Sequence, residues 1–340
     1  MERKLASIRR IKNIEEIPHA DKIELAKVDG WKVVVAKDVG HKVGDLVIYC
    51  EIDSFLPIKE EFEFLRKSSY KKMSDGTEGF RLKTIKLRGQ ISQGLILPLK
   101  ELQLPNKELL EVGMDVSKEL GIVKYEPPIP AELAGKVKGL FPSFIPKTDE
   151  ERIQNFTNEY DGWRLQSKHQ FYETEKLDGS SSTFYINNGE FGVCSRNLEL
   201  LETEGNTFWK VARELDLENK MKSLGRNIAL QGELIGEGIQ GNPYKIKGQT
   251  VKFYTGFEID KFERLPLSEF ISLISSLDLQ SVPILNDRFL LPETIDEMLL
   301  HAEAKSVLNP DTEREGVVVR SIDGTISFKA ISNKFLLNEK

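Results

Sequence analysis

The feature that most limits how this 340-residue chain can fold is a proline-dense break before its middle. Glu126-Pro127-Pro128-Ile129-Pro130 cannot continue a helix or a central strand, because three prolines fix φ and remove backbone donors. Pro142 and Pro146 follow within the Gly139 to Pro146 segment, so a boundary falls between residues 126 and 147. The chain is too long for one ordinary core, and the break divides it into parts of workable size. The expected organisation is a domain over residues 1–126, a linker over 127–147 and a second domain over 148–340.

The first part reads as β-rich. Val28-Asp29-Gly30-Trp31 leads through a turn into the valine run Val33-Val34-Val35, and Val47 to Ile52 forms a second strand after Gly44-Asp45. Phe80 to Gly89 alternates apolar and basic residues, with Arg81, Lys83, Lys86 and Arg88 toward solvent and a bulge or register change after Thr84. Gln93 to Pro98 adds another short strand. Short strands punctuated by turn residues predict a small barrel or sandwich. From Thr148 the pattern changes. Thr148-Asp149-Glu150-Glu151, followed by Ile153 and Phe156, predicts an acid-capped helix start. Strand-like runs then alternate with helical stretches at about residues 207–219 and 267–277, an α+β pattern.

Composition excludes several classes. No stretch approaches the roughly 20 apolar residues of a membrane helix, and Met1-Glu2-Arg3-Lys4 leads into no signal-peptide core. Only Cys50 and Cys194 occur, with four histidines and no metal-ligand spacing, so a disulfide framework and a zinc cluster are both excluded. A cytoplasmic location is expected. The net charge of −6 is unlike the basic surface of a non-specific nucleic-acid binder, so any such surface must be a local patch.

Chemistry concentrates in six elements of the second part. Glu175-Lys176-Leu177-Asp178-Gly179-Ser180-Ser181 follows the strand-like run from His169 to Thr174, placing Lys176 where a strand meets a loop. Ser195-Arg196-Asn197 comes next. Gln231-Gly232-Glu233-Leu234 sets a carboxylate in an apolar strand, where it would be costly to bury without a cationic partner. Phe253 to Ile259 is aromatic and includes Phe257. Arg314-Glu315-Gly316 precedes a valine run, and Ser327-Phe328-Lys329-Ala330-Ile331 to Phe335 lies near the end. Each has a plain structural reading: a turn aspartate at Asp178, a surface ion pair at Arg196, a core ring at Phe257.

In this order the elements resemble the covalent nucleotidyltransferases, namely DNA ligases, RNA ligases and messenger-RNA capping enzymes. The K-x-D-G element matches Lys176 to Gly179, the E-G element matches Glu315-Gly316, and the closing lysine matches Lys329. The S-R-N, G-E-L-I-G-E-G and F-K-x-x-S-N-K-F strings are most similar to the RNA nick-sealing ligases. Only five residues follow Phe335, where DNA ligases and capping enzymes append an OB domain, which favours the same branch. The layout is similar to RNA ligases of the Deinococcus and Naegleria type, with an OB-like barrel ahead of a nucleotidyltransferase domain of antiparallel sheets and helices. Residues 17–35 also resemble OB domains that bind transfer RNA.

The resemblance implies an ATP-dependent RNA ligase that seals 3′-hydroxyl and 5′-phosphate ends, at nicks in duplexes, through a lysyl-AMP. Lys176 would be the nucleophile, helped by desolvation and a nearby Mg²⁺ or Mn²⁺ held by Asp178, Glu233 and Glu315, directly or through water. Lys329 would neutralise the α-phosphate. Glu175, Arg196, Glu233, Phe257, Glu315, Lys329 and Arg152 would contact the nucleotide, Phe257 by stacking on adenine and Arg152 from a helix ahead of the domain. Two departures stand out: Ile331 replaces a second lysine two residues after Lys329, leaving Lys329 alone or Lys334 to supply charge, and Ser181 replaces an asparagine. The partner implied is RNA or an RNA-containing nicked duplex; no protein partner can be inferred and a monomer suffices. Competing readings are a DNA ligase, a GTP-using capping enzyme and a non-catalytic RNA-binding protein.

Overall fold

The computed structural model describes residues 4–73, 75–101, 110–125, 136–165 and 170–338. The proline run 126–130, most of the expected linker's first half and His169 lie outside the described residues. Two compact units emerge, and they do not follow chain order. One comprises Met1–Pro130, Ile153–Tyr160 and Leu336–Lys340; the other comprises Ala131–Arg152 and Asp161–Phe335.

The first unit carries β1 (Ala6–Glu16), β2 (Ile23–Val28), β3 (Trp31–Ala36), β4 (Leu46–Cys50), β5 (Ser54–Pro57), β6 (Tyr70–Lys72), β7 (Glu78–Arg81), β8 (Thr84–Leu87), β9 (Gln90–Gln93), β10 (Leu95–Pro98) and β11 (Val123–Lys124). Five of them form an antiparallel sheet in the order β10-β4-β1-β2-β3. Its far strand β3 lies beside β9 and β10, and the Val34 amide donates to Ser92 Oγ at 3.0 Å. The sheet thus curls toward closure as an OB-type barrel, around Ile8, Ile48, Leu56, Phe62, Phe80 and Leu97. Residues 153–160 belong here because the Gly30 amide donates to the Gln154 carbonyl at 3.0 Å and the Trp31 indole donates to Asn155 Oδ1 at 2.6 Å.

The basic run Phe80 to Gly89 is not one strand. The chain leaves β7 at Arg81 and starts β8 at Thr84, and β8 pairs with β9 alone among the described residues. Arg88 and Gly89 both take positive φ, 47° and 84°, the two-residue turn that matches strand twist in a tight hairpin. Alternation buries one face only where that face has a partner. Here Ile85 and Leu87 stay 46% and 39% exposed beside Lys86 and Arg88.

The second unit holds β12 (Val137–Leu140), β13 (Phe171–Lys176), β14 (Ser180–Asn187), β15 (Glu190–Cys194), β16 (Leu198–Leu200), β17 (Ile228–Gly236), β18 (Gln249–Glu258), β19 (Glu263–Arg264), β20 (Ile284–Phe289), β21 (Gly316–Ser321) and β22 (Ser327–Ile331). A seven-stranded sheet runs β12-β16-β15-β14-β17-β18-β19 and a four-stranded sheet runs β20-β13-β21-β22. All their pairings are antiparallel. One face of the larger sheet packs Phe184, Leu230, Leu234 and Phe253 against Trp209, Met221 and Phe270 of the helices. By the two-residue period its other face presents Ser181, Thr183, Gln231 and Glu233. The α+β class with antiparallel sheets is therefore as expected.

Three local expectations differ. The stretch 207–219 is two helices, Thr207–Glu214 and Leu217–Lys222, separated by Asp216 at φ 53°. Residues 148–151 form no helix; the first helical residues after them are Ile153–Asn155, then Tyr160–Leu165. The acids taken for a cap are spent elsewhere: Asp149 on Lys329, Glu150 on Arg320, while the Glu151 carbonyl accepts from the Lys329 amide at 2.8 Å. Arg152 consequently sits in extended chain bridged to Lys329, not on a helix. The helix Ile295–Ala302 was not anticipated, although its capping box was legible in Thr294 and Glu297.

Candidate active site

The Lys176 corner is shaped by close packing around small residues. β13 ends at Lys176, and Leu177, 2% exposed, anchors the turn among Ile235, Tyr244 and Val282. The Asp178 amide donates to Tyr244 Oη at 2.6 Å. A Cβ on Gly179 would lie 2.5 Å from the Leu234 carbonyl and 2.9 Å from Glu233 Cγ, so only glycine lets the loop rest on β17. Gly316 does the same on the other flank. It pairs with Lys176, and a Cβ there would meet the Ala330 carbonyl at 2.2 Å. Both glycines press their neighbouring carboxylates, Glu233 and Glu315, toward one lysine.

Lys176 Nζ lies 2.7 Å from Glu315 Oε1. Burial acts to lower the lysine pKa, but Glu315 and Glu233 together raise it above the ordinary value. The carboxylates thus hold the amine as an ammonium. Glu233 is pushed up to about 8, first by burial, then by the like charges of Glu315 and Asp178, against the pull of Lys176. Three carboxylates crowd one cation, a donor set of hard oxygens that fits a divalent ion. Among the described residues no three carboxylate, histidine or cysteine side chains converge closely enough to hold an ion by themselves. An ion there would complete its shell with water or phosphate oxygens, as Mg²⁺ commonly does.

Lys329 stands one row away, since Thr174 pairs with Val318 and Val318 with Lys329. Its Nζ donates to Asp149 Oδ1 at 3.0 Å, and Asp149 Oδ2 accepts from Arg196 Nη2 at 3.0 Å. One aspartate, hidden in the supposed helix cap, thus joins two of the anticipated site cations. Ile331 pairs with Gly316 and is 3% exposed, so it occupies a packed position in Lys176's own row. Lys334 is ion-paired with Glu303 at 3.3 Å and does not complete the positive field around Lys329.

Phe257 is 2% exposed and packs with Ile145, Tyr185, Cys194 and Ala229, edge-on to Phe262 at 5.1 Å. Pairing between β17 and β18 slips after Gln231, leaving Tyr254 as the extra residue. Such a bulge re-aims a side chain. Phe253 enters the core, while Tyr254 Oη lies 2.8 Å from Thr148 Oγ1 and 3.4 Å from Ser181 Oγ. Glu175 alternates to the opposite side of β13 from Lys176. Its Oε2 accepts from the Val307 amide at 2.9 Å, and burial raises its pKa. Sequence periodicity could not reveal Tyr254, because a bulge reverses the alternation.

The assembled group is a half-buried lysine among carboxylates, with Lys329 one row on, Arg196 on the same aspartate as Lys329, and an aromatic hydroxyl at its edge. This arrangement can offer an amine to an electrophile carrying several negative oxygens.

Comparison with known proteins bears on the same residues. A family model for OB-fold domains matches residues 5–99, and the RNA ligase model matches residues 169–334. The chain is similar to a solved Naegleria gruberi RNA ligase variant with ATP and Mn, at 42% identity over 99% of both chains and a TM-score of 0.90. A second variant of that ligase, with AMP and Mn, gives 42% identity over 99% of both chains and a TM-score of 0.91. The Naegleria gruberi RNA ligase with PPi gives 42% identity over 98% of each chain and a TM-score of 0.89. A search of the curated proteins found no match.

Proposed function

This chain belongs to the RNA ligase family, and from that premise we propose that it seals RNA 3′-hydroxyl and 5′-phosphate ends with ATP, at nicks in duplexes. The observation that carries the reading is Lys176 held 2.7 Å from Glu315 within a cluster of carboxylates, with Lys329 in the adjoining row. Solved relatives bound to ATP, AMP and Mn support the same choice of nucleotide and metal.

Lys176 Nζ, once it has lost its proton, attacks the α-phosphorus of ATP; the P–N bond forms as the bond to pyrophosphate breaks. A 5′-phosphate oxygen of the RNA then takes the AMP and frees the lysine. The 3′-hydroxyl finally attacks the phosphorus of the RNA 5′-phosphate; the phosphodiester forms as the bond to AMP breaks and AMP leaves. Lys329 and Arg196 neutralise phosphate oxygens as they turn from Asp149, and Tyr254 offers the base an aromatic face in place of Phe257. Glu233 and Glu315, with Asp178 directly or through water, are the residues that would hold Mg²⁺ or Mn²⁺. A bound ion supplies the positive charge those carboxylates otherwise draw from Lys176, which eases loss of its proton.

Residues 1–126 serve on this reading as the nucleic-acid-holding domain, 127–147 as a linker and 148–340 as the adenylating domain, working as a monomer. No helix among the described residues is long and apolar enough to cross a membrane. Cys50 and Cys194 are both free and buried, which fits a cytoplasmic setting. The test is a nicked duplex carrying RNA or DNA on each side of the break. Sealing with ATP and a divalent ion, through an adenylated 5′ end, is expected on RNA-containing nicks. Failure on every RNA-containing nick, with the protein folded, would overturn the proposal.

A further inference from the structure

Behind Tyr254, the second unit contains a group of charges that the Lys176 chemistry does not use. Arg320 of β21 is 6% exposed and pairs in register with Tyr172. It lies four residues from Gly316, roughly 13 Å along the strand from the Lys176 row. Its Nη2 donates to Glu150 Oε1 at 2.8 Å, and Ser327 Oγ donates to the other carboxylate oxygen of Glu150. Arg264 of β19 reaches the same carboxylate with Nη1 at 4.0 Å. Glu150 is thereby shared by two guanidiniums, and Arg320 Nε and Nη1 and Arg264 Nη1 are buried with no hydrogen-bond partner among the described residues.

These donors line a cavity of about 80 Å³, together with Tyr172, Thr255, Ser321 and Ser327. The helix Leu267–Ser276 begins at the same cavity, with Leu267 in the lining and no side chain capping its first turn. Guanidiniums do not deprotonate in proteins. Two of them against one carboxylate leave about one positive charge in a half-buried place, the Arg320 side chain 7% and the Arg264 side chain 30% exposed, and unmet charged donors whose atoms are buried there are expensive. Burial works against the charge on Arg264, and Glu150 offsets that only partly. Water would satisfy the donors and leave the charge. An anion satisfies both, and an uncapped helix start adds favourable dipole.

We infer that Arg264, Arg320 and the start of the Leu267–Ser276 helix form a binding site for a small tetrahedral oxyanion, of the inorganic phosphate or sulfate class, separate from the Lys176 cluster. The volume admits one such ion and is too small for a nucleotide. The bound ion ties β19 to β21 and so links the two sheets of this unit. The inference does not depend on the ligase reading.

The experiment is thermal unfolding of the full chain in rising sodium phosphate, against sodium chloride at equal ionic strength. The Lys176→Met/Lys329→Ala double variant serves as background, so that phosphate at the nucleotide site does not contribute. A saturable rise in Tm of a few degrees in that background, lost when Arg264→Gln is added, is expected. The same rise in the Arg264→Gln protein, no saturable rise, or a rise confined to the protein with Lys176 and Lys329 intact would each overturn the site. If Arg264→Gln fails to fold, ion size decides. Sulfate and selenate should reproduce the phosphate effect in the background variant and pyrophosphate should not; an equal effect of pyrophosphate would contradict the inference.

Discussion

Two charged regions of this chain sit in opposite circumstances. In the second unit Lys176, Glu315, Lys329 and Asp149 stand at strand ends or in register, half-buried or buried, and opposite charges meet at 2.7 to 3.0 Å. In the first unit Lys86 and Arg88 project from the β8–β9 hairpin into solvent, with exposed Ile85 and Leu87 beside them. A buried charge must be answered by its neighbours, so its position is over-determined by glycines, register and partners. An exposed one is answered by water and salt. Substitutions should therefore act on chemistry in the first case and on the ionic strength dependence of binding in the second.

The largest contrast should come from the carboxylates. Glu315→Gln or Glu233→Gln should slow ATP-dependent labelling of the protein by about 100- to 1,000-fold, the usual scale for removing one preorganised electrostatic group. Glu233→Gln should also change stability with pH. A carboxyl whose folded pKa lies near 8, above its ordinary value of 4.5, binds more protons folded than unfolded, so it costs stability as pH rises between those values. Metal-free Glu233→Gln should melt higher than wild type at pH 8 and show a smaller difference near pH 4.5. A variant equally destabilised at both would break this part of the account.

Next come the two aromatics of β18. Phe257→Ala should cost about 3–5 kcal/mol of stability in denaturant unfolding, as a filled core position does, with little effect on ATP affinity in the fraction that folds. Tyr254→Leu should lower ATP affinity several-fold by titration while costing less than half that stability. The reverse pattern would return the nucleotide role to Phe257.

Smaller still is the hairpin. Lys86→Ala/Arg88→Ala should leave labelling with ATP unchanged and weaken RNA binding. The slope of log affinity against log salt should shrink by roughly 0.9 for each lost phosphate contact; an unchanged slope would mean that the hairpin does not touch the backbone. Smallest is the reactivity of the thiols. Burial pushes Cys50 up to about 12 and raises Cys194 as well, so neither should react with a disulfide reagent at pH 8 until the protein is unfolded.

Much of the site was legible because its residues are linear in the sequence. Lys176, Asp178 and Gly179 fall on one corner, Glu315 and Gly316 on one strand start, and Lys329 within one strand. Strand pairing only had to bring them together. Register was harder. A single slip between β17 and β18 turns Tyr254 toward Thr148 and Ser181, and no local pattern announces it. Asp149 and Glu150 were misassigned for a different reason: helix-cap chemistry and tertiary ion pairing use the same residue types, and only the fold reveals Lys329, Arg196 and Arg320 within reach. In the first unit the alternation from Phe80 to Gly89 was real, but it spans two sheets and a turn.

The central claim is that Lys176 is the residue that becomes joined to AMP. Incubating the full chain with ATP labelled at the α-phosphate and a divalent ion, then mapping the modified peptide by mass spectrometry, tests it directly. One AMP on Lys176 is expected, and no label in a folded Lys176→Met protein. Label on any other residue, or label that survives Lys176→Met, would contradict it.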